Sequence, residues 1–288
     1  MKISRKVLEM QELCEGIRSE GKKIGFVPTM GYFHRGHLSL MEAAVKENDF
    51  TAVSIFVNPT QFGENEDYDT YPRDLEGDMG QARRLGVDVI FAPHVGEMYP
   101  HGYGSYVEVE GITEIMCGAS RPGHFRGVTT VVSKLFNIVL PHRVYFGQKD
   151  IQQALIIRKM ISELNFPLNL RILPTIREAD GLAMSSRNAY LSREERKAAL
   201  VVPQSLQAAL KMMEKGEKSK GNILGVVREI IEAEPRAKID YITVRDMDTL
   251  GEVDSIEDGV VVAAAVWIGK TRLIDNITWG ERPCSGRC

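Results

Sequence analysis

The sequence predicts a doubly wound α/β domain followed by a smaller α+β domain, and three observations carry that expectation. Short apolar runs rich in β-branched residues alternate with helix-length amphipathic segments through the first 175 residues. Beyond them the order changes to helices first and strands afterwards. The 288 residues leave room for two domains of about 150 each. Near-continuous apolar strands separated by amphipathic helices indicate a parallel sheet covered on both faces, a Rossmann-like arrangement.

The elements follow in order. Met1–Lys6 leads into a charged amphipathic stretch without an apolar signal core. Lys23–Pro28 is a short apolar strand that ends in a turn, and Thr51–Val57 is a β-branched one. Val87–Phe91, Arg143–Phe146 and Leu168–Leu173 repeat the pattern. Helix-length segments lie between them at 37–48, 73–86, 127–140 and 150–164. Residues 193–214 and 219–234 read as two further helices, followed by strands at Asp240–Arg245, Val260–Ile268 and Thr271–Thr278. The boundary falls between Pro174 and Asp180, which gives domains 1–176 and 177–288. Neither an internal repeat nor a low-complexity tract interrupts the pattern.

Composition narrows the function. Lys and Arg number 36 against 39 Asp and Glu, a net charge of −3 that does not draw a polyanion over the whole surface. The hydrophobic share of 43% supplies a core. Cys14, Cys117, Cys284 and Cys288 are too few for a disulfide scaffold and lack paired zinc-ligand spacing, and the last two sit in a polar tail. The longest apolar run, Val260–Ile268, is far shorter than the roughly 20 residues that span a bilayer. A cytoplasmic protein without membrane or nucleic-acid partners is expected.

The most informative segment closes the first strand, Pro28-Thr29-Met30-Gly31-Tyr32-Phe33-His34-Arg35-Gly36-His37. Pro28 and Gly31 make a turn, Gly36 admits close backbone approach, and His37 lies near a helix start. Ligands of open α/β sheets bind beyond the strand carboxyl ends, where helix N-termini attract phosphate. Two histidines placed there can donate hydrogen bonds to phosphate oxygens as charge develops. Asn58 and Gln61 follow the next buried strand, so their amides project toward the same cleft, and Gln153 opens the helix after the fourth strand. Two glutamines can hold a hydroxyl and a carboxylate without adding a competing charge. Lys149, at another strand end, supplies a point charge for phosphate, and Asp150 an acceptor for a ribose hydroxyl.

His34-Arg35-Gly36-His37 resembles the H-I-G-H signature of the nucleotidyltransferase superfamily that includes class I aminoacyl-tRNA synthetases. The surrounding residues resemble the pantothenate synthetases, the pantoate–β-alanine ligases. The resemblance rests on Pro28–Gly31, Phe56–Gly63, Tyr71-Pro72-Arg73, Arg121–Val128, Phe146–Gln153 and Arg177–Asn188, in family order over residues 26 to 191. It implies ATP-dependent condensation of (R)-pantoate with β-alanine to pantothenate, AMP and pyrophosphate through a pantoyl adenylate. Met184-Ser185-Ser186-Arg187 then corresponds to the synthetase K-M-S-K-S loop, with Asp180-Gly181 as its turn. The implied catalytic set is His34, His37, Lys149, Ser185, Ser186 and Arg187. Met30, Gly31, Gly147, Asp150, Ile176 and Met184 join these residues around ATP. Gln61, Gln153, Asn58 and Tyr71 are implied for pantoate and β-alanine. Asp78 and Gln81, one helical turn apart, correspond to positions that contact Mg²⁺, and the family suggests a homodimer.

Other readings make different demands. Transfer of a nucleotidyl group to a phosphate acceptor calls for added cations where this chain has glutamines. An RNA-binding module calls for a basic, aromatic second domain, yet from Ser192 onward the only aromatic residues are Tyr241, Trp267 and Trp279. Gly269-Lys270-Thr271 lacks the first glycine of a P-loop, and Gly102-Tyr103-Gly104 follows no strand. The spacing of His34 and His37 is not that of a zinc helix.

Overall fold

A computed structural model describes residues 1–64 and 66–280. Cys284 and Cys288 lie outside the described residues. In chain order the first elements are β1 (Lys2–Ser4), α1 (Val7–Ser19), β2 (Ile24–Thr29), α2 (Arg35–Glu47), β3 (Phe50–Ile55) and α3 (Leu75–Leu85). There follow β4 (Val89–Phe91), α4 (Val95–Met98), α5 (Cys117–Ser120), α6 (His124–Val139), β5 (Arg143–Gly147), α7 (Ile151–Glu163) and β6 (Asn169–Leu173). The remainder is α8 (Arg193–Ala198), α9 (Val201–Glu214), α10 (Lys220–Glu232), β7 (Ala237–Asp246), β8 (Val260–Ile268) and β9 (Thr271–Trp279).

Among the described residues two compact units emerge, one of Met1–Gly147 with Ile156–Leu173, the other of Gln148–Leu155 with residues 174–280. The division is therefore not a single cut at 176/177, because the short segment after β5 groups with the second unit.

The first unit is built on a six-stranded parallel sheet of order β1-β4-β3-β2-β5-β6. From β2 the chain moves outward to β3 and β4 on one side, then returns to place β5 and β6 on the other. The reversal leaves a crevice at the carboxyl ends of β2 and β5, where open α/β sheets bind their ligands. Val27, Val53, Ile90 and Tyr145 from the strands pack with Leu40, Met41 and Ala44 of α2 and Ala82 of α3. Burying each larger apolar side chain of this set contributes about 1.5–3 kcal/mol. Helix α6 is buried along most of its length, with Thr129, Thr130 and Ser133 among its buried residues.

The fold class agrees with the sequence, and the differences have local causes. β1 pairs with β4 over only three residues and has one buried position, too short and polar a segment to read as a strand. The charged stretch after it is a helix, α1, that buries only Met10 and Cys14, four residues apart. The expected helix 193–214 is broken into α8 and α9. Pro203 lacks the N–H that an unbroken helix would direct at the Ala199 carbonyl, so the helix restarts at Val201.

The second unit packs α9 and α10 on an antiparallel sheet of order β7-β8-β9. Val202, Leu206, Ala209 and Met213 form the buried stripe of α9, with Ile223, Val227 and Ile231 that of α10. Alternate residues of the central strand, Val260, Val262, Ala264, Val266 and Ile268, complete this core.

Candidate active site

The turn after β2 is held from inside the first unit. Gly31 takes φ +91°, and a Cβ there would lie 3.0 Å from both Asp78 Oδ2 and Ile55 Cγ2. Tyr32 also adopts a left-handed backbone, φ 54°. The Tyr32 and Phe33 N–H groups donate to Asp78 Oδ2 and Oδ1 at 2.7 and 2.6 Å. Thr29 Oγ1 accepts from Gly31 N and donates to the Ser54 carbonyl. Asp78 is only 1% exposed. Burial pushes its carboxyl above the usual range against the opposing pull of the two N–H bonds. A buried carboxylate that accepts two backbone bonds holds an otherwise strained turn in place.

That turn delivers the chain to His34, the N-cap of α2. His34 Nδ1 accepts from Gly36 N at 3.1 Å, while His37 Nδ1 accepts from His34 N at 3.3 Å. This is the reciprocal logic of a capping box, with imidazoles in place of hydroxyl and carboxylate. The rings lie 4.1 Å apart at 30°. A nitrogen that accepts carries no proton, so each neutral ring holds its proton on Nε2. The pair is thereby fixed as Nε2–H donors at a helix N-terminus, the chemistry that stabilises developing phosphate charge.

Residues 58–61 make a second fixed turn. Asn58 is buried and donates from Nδ2 to Gln61 Oε1 and the Gly127 carbonyl, both at 3.1 Å. Its Oδ1 accepts from Thr60 Oγ1 and from the Tyr99 hydroxyl. Asn58 thus orients the Gln61 amide so that Nε2 is the outward donor, and Nε2 meets Met30 Sδ at 3.4 Å. The Gln61 backbone carbonyl is gripped by His124 Nδ1 at 2.8 Å and Arg121 Nη2 at 3.3 Å. Arg121 in turn pairs with Glu66, with Nε 2.6 Å from Oε1. Burial pushes the Glu66 carboxyl up, but its bonds to Arg121 outweigh this and hold it below the usual range. A Cβ on Gly127 would lie 2.3 Å from the Thr60 carbonyl, so only glycine lets α6 approach this turn. The sequence blocks contain Arg121, His124 and Gly127, but nothing in their spacing reveals the clamp. Tyr71 is buried against Phe62, ring centroids 6.0 Å apart, in an aromatic cluster that also includes Tyr68.

The second unit presents its expected residues on two supports. Gln148–Asp150 form a 3-10 turn, with Lys149 Nζ 3.6 Å from Asp150 Oδ2. Gln153 follows, half-buried, in the first turn of α7. Ile176 and Met184 face each other across a hairpin, the Met184 N–H donating to the Ile176 carbonyl at 3.0 Å. The hairpin turns at Asp180-Gly181, with Gly181 at φ +93°. Ser185 then caps the 3-10 turn Ser186–Tyr190, its Oγ accepting from Arg187 N at 3.3 Å. Asn188 and Arg196 tie this loop to Glu178, and Arg196 also pairs with Asp180.

Asp78 and Gln81 both lie on α3, but both Asp78 oxygens are already engaged by backbone N–H groups. Among the described residues no group of three or more His, Cys, Asp or Glu is placed to hold a metal ion. Asp78 is thus committed to the turn after β2, and Mg²⁺ would have to be held chiefly by nucleotide phosphates and water. Burial pushes the Cys14 thiol up to about 12, so it is no nucleophile. No helix among the described residues is long and apolar enough to cross a membrane.

A profile of the pantoate-beta-alanine ligase family matches residues 2–278. The chain is 53% identical to the pantothenate synthetase of Moorella thermoacetica, covering 96% of this chain and 98% of that protein. The corresponding protein of Acetivibrio thermocellus is 54% identical, with 96% and 99% covered. Among solved structures, pantothenate synthetase from Thermus thermophilus matches with a TM-score of 0.92 at 44% identity, covering 98% of this chain and 100% of that one. The pantoate-beta-alanine ligase of Francisella tularensis, complexed with beta-gamma ATP and β-alanine, matches with a TM-score of 0.81 at 35% identity, covering 96% and 97%.

Proposed function

The chain belongs to the pantoate–β-alanine ligase family, and we propose a division of labour among its residues for the ligation. The reaction joins pantoate to β-alanine at the expense of ATP, through a pantoyl adenylate. In the first step a pantoate carboxylate oxygen attacks the α-phosphorus and the bond to the bridging oxygen breaks, releasing pyrophosphate. In the second the β-alanine amine attacks the acyl carbon, the C–O bond to AMP breaks, and the amine gives up a proton. The activation is needed because a carboxylate is a poor acyl donor to an amine, whereas AMP leaves readily.

One observation carries the assignment. The reciprocal capping of His34 and His37 fixes both imidazoles as Nε2–H donors at the head of α2, directly after the central strand β2. We assign them to the phosphate oxygens on which charge gathers in the first step. Gln61, oriented by Asn58, presents donor hydrogens to the hydroxyl and carboxylate oxygens of pantoate, with Met30 beside it. Asn58 acts through Gln61, because both its amide hydrogens are committed. Tyr71 contributes a wall. Gln153 is assigned to pantoate, Lys149 to phosphate charge and Asp150 to the ribose. Ile176 and Met184 flank the nucleotide, and Gly31 and Gly147 give it backbone access. Ser185, Ser186 and Arg187 bind phosphate oxygens through hydroxyls and guanidinium. Mg²⁺ carried by the nucleotide would supply charge neutralisation, with Gln81, and Asp78 only through bound water, assigned to hold it. A cytoplasmic homodimer completes the reading, the dimer resting on family resemblance.

Product analysis tests this function. AMP and pyrophosphate should each appear in equal amounts with pantothenate, without any RNA. Stoichiometric ADP and phosphate would mean attack at the γ-phosphorus and an acyl-phosphate route instead.

A further inference from the structure

Asp275 and Asn276 are consecutive residues of β9, 3% and 2% exposed. Buried polar side chains persist where each group is bonded, so their partners define their work. Asn276 Nδ2 donates to the carbonyls of Gln148 and Lys149 at 2.9 and 3.0 Å, while its Oδ1 accepts from Gln148 Nε2 at 3.3 Å. Asp275 faces Arg177, with Oδ2 2.6 Å from Nη1 and Oδ1 3.0 Å from Nη2. Arg177 Nη1 also donates to the Gly181 carbonyl, closing the hairpin that leads into Met184–Arg187. One dipeptide therefore grips the Lys149 turn with one side chain and the Ser-Ser-Arg hairpin with the other.

We propose that Asp275 and Asn276 are positioning residues for the adenylation step, Asn276 fixing the backbone that carries Lys149 and Asp275 fixing the hairpin that carries Ser185–Arg187. Neither needs to meet substrate. A strand of the second unit sets the spacing between two phosphate-binding groups that are 36 or more residues apart in the chain. Transition-state charge is stabilised only by donors held at the right separation, and a displacement of about 1 Å can cost on the order of 100-fold in rate. The proposal rests on the assignment of Lys149 to phosphate charge made above.

The test is a double-mutant cycle on the full chain with Asn276→Ala, Lys149→Ala and the double variant. Its readouts are the rate of pantoate-dependent pyrophosphate exchange into ATP, the KM for pantoate and the thermal midpoint. Asn276→Ala should lower kcat about 10- to 100-fold while the pantoate KM moves by no more than about twofold. In the Lys149→Ala background the same change should cost less than about threefold, because the group it positions is gone. Equal fold-losses in both backgrounds, or no loss in the first, would overturn the proposal and reduce Asn276 to a packing residue. A Lys149→Ala enzyme that exchanges at the wild-type rate would overturn it too. Absence of exchange in the wild-type enzyme would instead remove the adenylate reading itself, and the proposal with it. Should the alanine variant fail to fold, the isosteric Asn276→Asp, which turns an oxygen toward two carbonyls, enters the same cycle with the same criteria.

Discussion

The two units present the residues proposed for phosphate on different kinds of support. In the first, His34 and His37 are locked by backbone N–H groups of their own turn, and that turn is anchored by one buried carboxylate, Asp78. In the second, the loop bearing Ser185–Arg187 hangs on a hairpin whose outer side is held by Glu178, Asp180 and Arg196, all partly exposed. Two buried atoms of that network, Asn188 Oδ1 and Arg196 Nη1, have no hydrogen-bond partner among the described residues. Short-range bonds to backbone make a rigid cradle, whereas ion pairs in contact with water contribute little individually. On the proposed roles, the first unit offers preorganised charge stabilisation, while the hairpin of the second is fixed on its inner side by Asp275 and left adaptable on its outer side.

The largest effect expected from this contrast falls on His37. His37→Ala should reduce adenylation by roughly 100-fold or more while the chain stays folded. His37→Asn sharpens the point, because its Oδ1 can still accept from His34 N while the Nε2–H donor is absent. Steady-state kinetics with thermal melting should find His37→Asn as inactive as the alanine variant but as stable as wild type. An asparagine variant of wild-type activity would reduce the histidine to a helix cap.

Gln61→Ala comes next. Removing an oriented amide leaves its partner group unpaired at a cost of about 1–3 kcal/mol. Calorimetry should show that loss for pantoate while ATP binding survives. Equal losses for both ligands would break the assigned roles.

The α/β class, five of the six parallel strands and the histidine pair were legible in the sequence, since apolar runs and a His-x-Gly-His after a strand are local signals. The supports were not. Asp78 reads by resemblance as a position that contacts Mg²⁺, and only the fold brings it under residues 31–33, more than 40 positions earlier. Asn58 reads as a substrate amide, yet tertiary contact with Gly127 and Tyr99 commits it to orienting Gln61. Asp275-Asn276 sits between Ile274 and Ile277 in a strand of mixed polarity, and its partners lie some 100 and 130 residues away.

The smallest effect belongs to the second unit. The hydrogen bond from Arg196 holds the Asp180 carboxyl below its ordinary value of 3.8, against the opposing effect of burial. A lowered folded value means that Asp180 stabilises the hairpin above pH 3.8, and that the contribution fades as pH falls through the lower folded value. Asp180→Asn should therefore speed amide exchange across residues 182–187 at neutral pH by about fivefold at most, with little effect on turnover. The difference from wild type should vanish well below pH 3.8. A variant that exchanges faster by the same factor at every pH would show that the ion pair is not the hairpin's support.

The central claim is that the rigid cradle of the first unit serves attack at the α-phosphorus, a step complete before β-alanine takes part. Exchange of labelled pyrophosphate into ATP measures that step alone. Wild-type enzyme should catalyse it when pantoate is present and β-alanine absent, and His37→Asn should abolish it. Exchange that requires β-alanine, or that persists in His37→Asn at the wild-type rate, would contradict the account.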